Sequence, residues 1–399
     1  MHFAGTGMKR RAGNFQRCRR HAAAGLAAAW LGGMLLASGA HLRGQAAGAA
    51  SKPPAGARDF SPRWRPKQGG PAGLHYVGAQ VCVTCHRYEA RELQTPMALA
   101  SQPAAASPHL RRPLAASFGG DRFQFARAGK QVIYSVTRGG RTVSAPLLWG
   151  FGQGVLAQTF VYRSGKNFYE GRISYYTQVR RLAYTMGDAP LPASLPEALG
   201  RQLGPDETRK CFVCHTTGSY RGGVFHASQA AAGVTCEGCH GPGSAHVAAM
   251  RAHEYARAHI YNPGKLNAGG VLDFCGSCHR TPEMVFNMGV TGIVDIRFQP
   301  YRLALSLCWN PIDSRISCLA CHDPHQPLVK RAAWYDPKCL ACHRHPGERA
   351  SAGKPGRACP VAQKNCVTCH MPKLALPGAH ARFADHLIRI VRPGQGYPG

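Results

Sequence analysis

Four stretches in the middle of the chain alternate apolar and polar residues: Arg122–Arg127, Gln131–Val136, Gln158–Arg163 and Asn167–Ile173. A period of two sends successive side chains to opposite faces of a strand, and Gly-containing turns separate the stretches. Together they predict a small antiparallel β insertion within residues 118–205, whose Tyr and Phe residues read as sheet packing. Elsewhere the pattern predicts short helices and loops. Residues after Ser244 are rich in Ala, Met, Glu and Arg and predict a helix from about Ala245 to Ala258 with Ser244 as its cap. Phe383–Ile390 fits a strand or a short helix, because so short a run has no decisive period.

The start of the chain has a different pattern. Lys9, Arg10, Arg11, Arg17, Arg19 and Arg20 precede an apolar run from Ala22 to Ala37. That order, with a small-residue exit, predicts a secretory signal peptide over residues 1–46, cleaved after Ala40 or Ala46. The run is too short to span a bilayer comfortably, although an uncleaved anchor is the alternative. Cys18 precedes the run and is not placed as a lipoprotein cysteine. Residues 47–73, rich in Gly, Pro, Arg and Ala, predict a disordered linker. The protein is therefore expected in the periplasm or at an extracytoplasmic face.

Composition changes this picture in two ways. With 47 Gly, 29 Pro and only 9% aromatic residues, the chain is expected to build little core of its own, so that something else fills the interior. The formal charge is +30, and removing the seven basic residues of the first 46 leaves +23. No basic stripe interleaved with aromatics and no DNA-binding motif accompanies that charge, which argues against a nucleic-acid partner. Basic residues that offset bound carboxylates, or that dock an acidic partner, account for it better.

The chemistry sits in the cysteines. Seven Cys-x-x-Cys-His pentapeptides account for fourteen of the seventeen cysteines. They are Cys82, Cys85 and His86; Cys211, Cys214 and His215; Cys236, Cys239 and His240; Cys275, Cys278 and His279; Cys318, Cys321 and His322; Cys339, Cys342 and His343; and Cys366, Cys369 and His370. Each supplies two thiols at the spacing of the two haem vinyl groups and an imidazole to ligate the iron, so the motifs predict seven covalently attached haems c. Zinc knuckles or disulfides are the alternative use of Cys-x-x-Cys, but neither needs a histidine at a fixed offset, and an odd count pairs badly. Two propionates per haem would lower the charge to about +9. Cys308 and Cys359 are left over, and a disulfide between them is the simplest expectation for an exported protein, with a thiolate iron ligand as the alternative.

One motif, Cys82–His86, stands apart in sequence, while six fall within the 160 residues from Cys211 to His370. Six haems in so short a stretch must share walls, which predicts an electron-transfer wire. The candidates for sixth ligands are His246, His325, His345, His226, His380, His386 and Met97. His246, His325 and His345 each follow a motif closely; so short a tether is expected to reach the iron of a neighbouring haem rather than its own.

The segments Tyr76–His86 and Cys236–His246, the latter containing Gly241-Pro242-Gly243, resemble the cytochrome c-552/4 type family, relatives of the tetrahaem partner of hydroxylamine oxidoreductase. Cys318–His325 and Cys366–Lys373 resemble other segments of such proteins. The resemblance implies haem c cofactors, assembly by cytochrome c maturation machinery, and redox partner proteins that are acidic or membrane-bound. Simpler members of the family place a histidine where Thr95-Pro96-Met97 stands here, which makes Met97 the candidate sixth ligand of the first haem. The expected fold is a multihaem cytochrome, mainly α and loop with haems as its core and a small antiparallel β insertion. Its expected parts are a first haem site over 74–117, a haem-free β-rich insertion over 118–205 and a six-haem domain over 206–392. The expected function is electron transfer outside the cytoplasm. A reductase or oxidase of a small nitrogen or sulfur compound with one open haem, and a docking or assembly component of a membrane redox complex, are the alternatives. The lack of a Cys-x-x-Cys-Lys site weighs against the enzyme.

Overall fold

A computed structural model describes residues 60–61, 63–152, 154–187, 192–221, 224–343, 358–392 and 394–398. The expected signal peptide and most of the linker, together with Cys18, His41 and His345, lie outside these residues. Among the described residues no helix is long and apolar enough to cross a membrane.

The largest element is an antiparallel sheet of ten strands. They are β1 (Ser101–Pro103), β2 (Leu114–Phe118), β3 (Asp121–Ala128), β4 (Gln131–Arg138), β5 (Arg141–Phe151), β6 (Ala157–Ser164), β7 (Asn167–Gly171), β8 (Ile173–Tyr176), β9 (Arg181–Tyr184) and β10 (Gly200–Gln202). The main order is β10-β7-β6-β5-β4-β3-β2, with β1 on β5 and β8 bridging β6 and β9. Alternation sets the faces: Phe123 and Phe125 of β3 and Val132, Tyr134 and Val136 of β4 all point into one buried layer. Phe125 lies opposite Tyr134, with ring centroids 4.6 Å apart. Two of the hairpins turn on glycine pairs, Gly119-Gly120 and Gly139-Gly140, all four at positive φ, the backbone that a two-residue hairpin loop demands. Phe160, Tyr162, Ile173, Leu182 and Leu199 complete the core.

This overturns the expectation of a mainly α and loop fold with haems as its core. Helix makes up about 33% and strand about 24% of the structure, and the sheet has an apolar core of its own. The sequence pattern understates it for a physical reason. Strands β1, β8, β9 and β10 are three or four residues long, too short to show a period. In β5, a register shift between Leu147 and Trp149 interrupts the alternation. The few aromatics are also concentrated in this one layer rather than spread over the chain.

Beyond the sheet the chain is short-ranged. Strands β11 (Thr216–Thr217), β12 (Tyr220–Arg221), β13 (Val224–Phe225) and β14 (Ala231–Ala232) form two small ladders, β11 with β14 and β12 with β13; β15 (Lys373–Leu376) and β16 (Ala381–Ala384) form a third. Phe383 and Ala384 therefore end a strand, and the helix alternative for Phe383–Ile390 is not adopted. The helix after the third motif covers Ser244–Arg251 and stops short of Ala258. Ser244 is not its cap: the Ser244 hydroxyl accepts the His75 N–H at 3.0 Å instead.

Candidate haem-binding sites

The pentapeptides are single helical turns or the last turns of longer helices. Helices Pro205–His215 and Ala268–His279 end on the second and fourth motifs, and Cys236–His240, Cys318–Cys321 and Cys366–His370 are turns in their own right. In the first, fifth and sixth motifs the histidine N–H donates to the carbonyl of the leading cysteine, at 3.0, 2.8 and 3.0 Å. An i, i+3 spacing in a helical turn brings both thiols to one side, and the histidine follows immediately. All sixteen described cysteines are free thiols, Cys308 and Cys359 among them. The expected disulfide between those two is therefore not formed.

The histidines are oriented for iron. The Nδ1 of His215 lies 3.1 Å from the Ala100 carbonyl, that of His240 2.8 Å from Tyr261 and that of His370 2.9 Å from Arg389. A carbonyl only accepts, so Nδ1 carries the proton and Nε2 keeps the lone pair with which a histidine ligates a metal. His246 and His386 are held the same way, by the carbonyls of Ala258 at 2.6 Å and Ala384 at 3.1 Å. Burial pushes His386 down to about 4 and holds His240, His246, His279 and His322 below the usual histidine range, so all five are neutral at pH 7.

Three of these rings pair across motifs. His86 faces His246 with ring centroids 6.1 Å apart, His240 faces His325 at 6.1 Å, and His322 faces His386 at 6.4 Å. With a metal–imidazole bond of about 2.0 Å and each ring centre about 1.1 Å behind its nitrogen, two imidazoles on one iron have centroids about 6 Å apart. Each pair thus has the separation of two axial ligands. His246 follows the third motif but closes on the first, and His325 follows the fifth but closes on the third. Among the described residues no group of three or more His, Cys, Asp or Glu is assembled to hold a metal ion, which does not suit a zinc knuckle.

The packing fits a large apolar group as well. Among the described residues between Leu303 and Leu376, no apolar side chain is buried, although three motifs lie there. Leu307 is 98% exposed, Val361 89% and, just beyond, Ile390 76%. These side chains have no protein core to join, and haem faces are the surfaces they would cover.

Packing between motif turns adds to these histidine pairs. The turn Ala79–Cys82 packs on Cys236–His240, the helix Ala268–His279 on Cys318–Cys321, and Asp336–Leu340 on Cys366–His370. The first motif, alone in sequence, is therefore in contact with the third. The sheet holds the second: Ala100, just before β1, supplies the carbonyl on His215, Ser101 donates to the His215 carbonyl, and Phe151 and Phe168 pack on Phe212 inside the motif.

The remaining candidates are placed differently. His246, not Met97, stands opposite His86; Met97 is half-buried, and its carbonyl accepts from Ala100 and Val234. His380 sits in the turn between β15 and β16 with its ring edge on Tyr176 at 4.7 Å. His226 begins a short 3-10 turn and donates its backbone N–H to Ser219. Two buried acidic residues went unremarked in the sequence, Glu237 and Asp336, and so did the fully buried ion pair of Arg302 with Asp385, which immediately precedes His386.

A family model described as cytochrome c554 and c-prime matches residues 194–241, the stretch that carries the second and third motifs. The chain is thus similar to c-type cytochromes, proteins with covalently bound haem c that transfer electrons. No curated protein and no solved structure matches the chain.

Proposed function

We propose that this chain is a heptahaem c-type cytochrome that carries electrons between redox proteins outside the cytoplasm. The observation that carries the proposal is the set of three cross-motif histidine pairs at 6.1–6.4 Å, each containing a motif histidine. When bound, haem c supplies an iron that cycles between the ferric and ferrous states. The chain's own residues do the rest. Fourteen thiols attach the groups, seven motif histidines present Nε2, and backbone carbonyls fix the tautomer of His215, His240 and His370. His246, His325 and His386, standing opposite His86, His240 and His322, would help hold haem at the first, third and fifth sites, which would favour electron transfer over substrate chemistry there. In this reading Met97 packs near the first haem without ligating it.

The contacts between motifs suit electron transfer between sites, and the excess of basic residues suits an acidic or membrane-bound redox partner. The signal-like start suits export to the compartment where c-type cytochromes mature. Pyridine haemochrome analysis with intact mass, on protein made in a host with cytochrome c maturation, tests the proposal. Seven haems per chain is the expected result; six or fewer in fully matured protein would overturn the count.

A further inference from the structure

Two carboxylates occupy equivalent places in the architecture. Glu237 lies between the two cysteines of the third motif and is only 2% exposed. Its Oε1 accepts the Val77 and Gly243 N–H groups, both at 2.8 Å, and its Oε2 accepts the Gly78 N–H at 2.7 Å. Val77 and Gly78 lead directly into the turn Ala79–Cys82 that opens the first motif. Asp336 begins the helix that carries Cys339 and is 8% exposed. It accepts the Asn365 N–H at 2.8 Å and the Cys366 N–H at 2.9 Å, the residues that open the seventh motif.

In both cases a carboxylate on one motif's turn takes the backbone donors of the chain entering another. A carboxylate that binds two or three N–H groups fixes distance and direction together, because charge-assisted hydrogen bonds are short and directional. The turns follow: Ala79–Cys82 packs on Cys236–His240, and Asp336–Leu340 packs on Cys366–His370. Turns in contact place the attachment points of two haems near each other. The fourth and fifth motifs come together without such a carboxylate, by direct packing of the helix Ala268–His279 on Cys318–Cys321. The Glu237 clip also governs ligation. Ser244 is bonded to His75 through both its backbone N–H and its hydroxyl, so the first and third segments are registered at two points, and His246 then closes on His86.

We propose that Glu237 and Asp336 are positioning residues that set two haem pairs, first with third and sixth with seventh, as closely coupled steps of the electron path. The proposal rests on the haem-binding reading of the motifs. It is tested on the fully matured protein with Glu237→Gln and Asp336→Asn, isosteric changes that keep one oxygen acceptor. The readouts are haem content, a spectroelectrochemical titration and carbon monoxide binding to the reduced protein.

Both variants are expected to keep the wild-type haem content. Each should shift two of the resolved potentials; the two sets should not overlap, and the double variant should shift four. Glu237→Gln should in addition admit up to one equivalent of carbon monoxide, as His246 loosens from the first site, whereas Asp336→Asn should not disturb that site. Potentials that stay put, or that all move together, would overturn the proposal, as would isosteric variants that fail to mature, since that marks a general structural role. Wild-type protein without haem would instead refute the underlying reading.

Discussion

The sheet and the segment from residue 304 to 375 fill their interiors by opposite means. The sheet buries Phe123, Phe125, Tyr134, Phe160 and their neighbours in one apolar layer. In the other segment the buried residues that are described are Ser306, Ser317 and Asp336, all polar and engaged in hydrogen bonds. One region therefore has the apolar area to order itself, whereas the other, among its described residues, buries only hydrogen-bonded polar side chains. The difference teaches that a whole-chain aromatic content of 9% describes neither region. It averages an ordinary β core with a stretch that, among its described residues, buries no apolar side chain.

Truncating the sheet core should sharpen this contrast most. Phe125→Ala is expected to destabilise the sheet by about 3–5 kcal/mol, since its buried ring contacts both Tyr134 and Phe160. Denaturant unfolding followed by far-UV circular dichroism measures the loss, and haem content should stay unchanged. Leu307→Ala should leave the sheet transition where it is.

Removing an axial histidine should have a smaller and local effect. His246→Ala, His325→Ala and His386→Ala are each expected to open one site, at His86, His240 and His322 respectively. Carbon monoxide binding to the reduced protein should rise by about one equivalent per variant, with the sheet unaffected. A Met97→Ala variant that binds the same equivalent, with His246→Ala silent, would reverse the assignment at the first site.

The smallest effect concerns Glu92, a buried carboxyl beside the third motif with Oε2 unpartnered. Burial, with a smaller contribution from Cys236, pushes it up to about 8. A raised carboxyl contributes stability that is present below the ordinary carboxylate range and is lost as pH rises through its folded value. Stability should therefore decline from about pH 4.5 to about pH 8 and level off above it, and Glu92→Gln should flatten that slope in thermal melts.

What could be read from the sequence follows the same division. The motif residues were legible because covalent attachment demands thiols and imidazole within five consecutive positions, a wholly local constraint. The cross-motif placement of His246 and His325 could be read from the sequence because their tethers are short, while His386 had no such mark, being brought to His322 by the fold of the C-terminal segment. Glu237 left a trace that went unused: it is the one charged residue among the fourteen middle positions of the seven motifs. Asp336 left none, because its partners enter through the chain between the sixth and seventh motifs. The extent of the sheet was hidden by strands too short for a period. The pairing of Cys308 with Cys359 was an argument from parity, and parity carries no geometry.

The central claim is that the sheet orders itself and the motif-bearing segment is ordered by haem. Hydrogen exchange read by mass spectrometry, on protein made with and without cytochrome c maturation, tests it most directly. Amides of β3, β4 and β6 are expected to be protected in both forms, and those of residues 304–343 and 358–375 in the matured form alone. Equal protection of those residues in the haem-free chain would contradict the account.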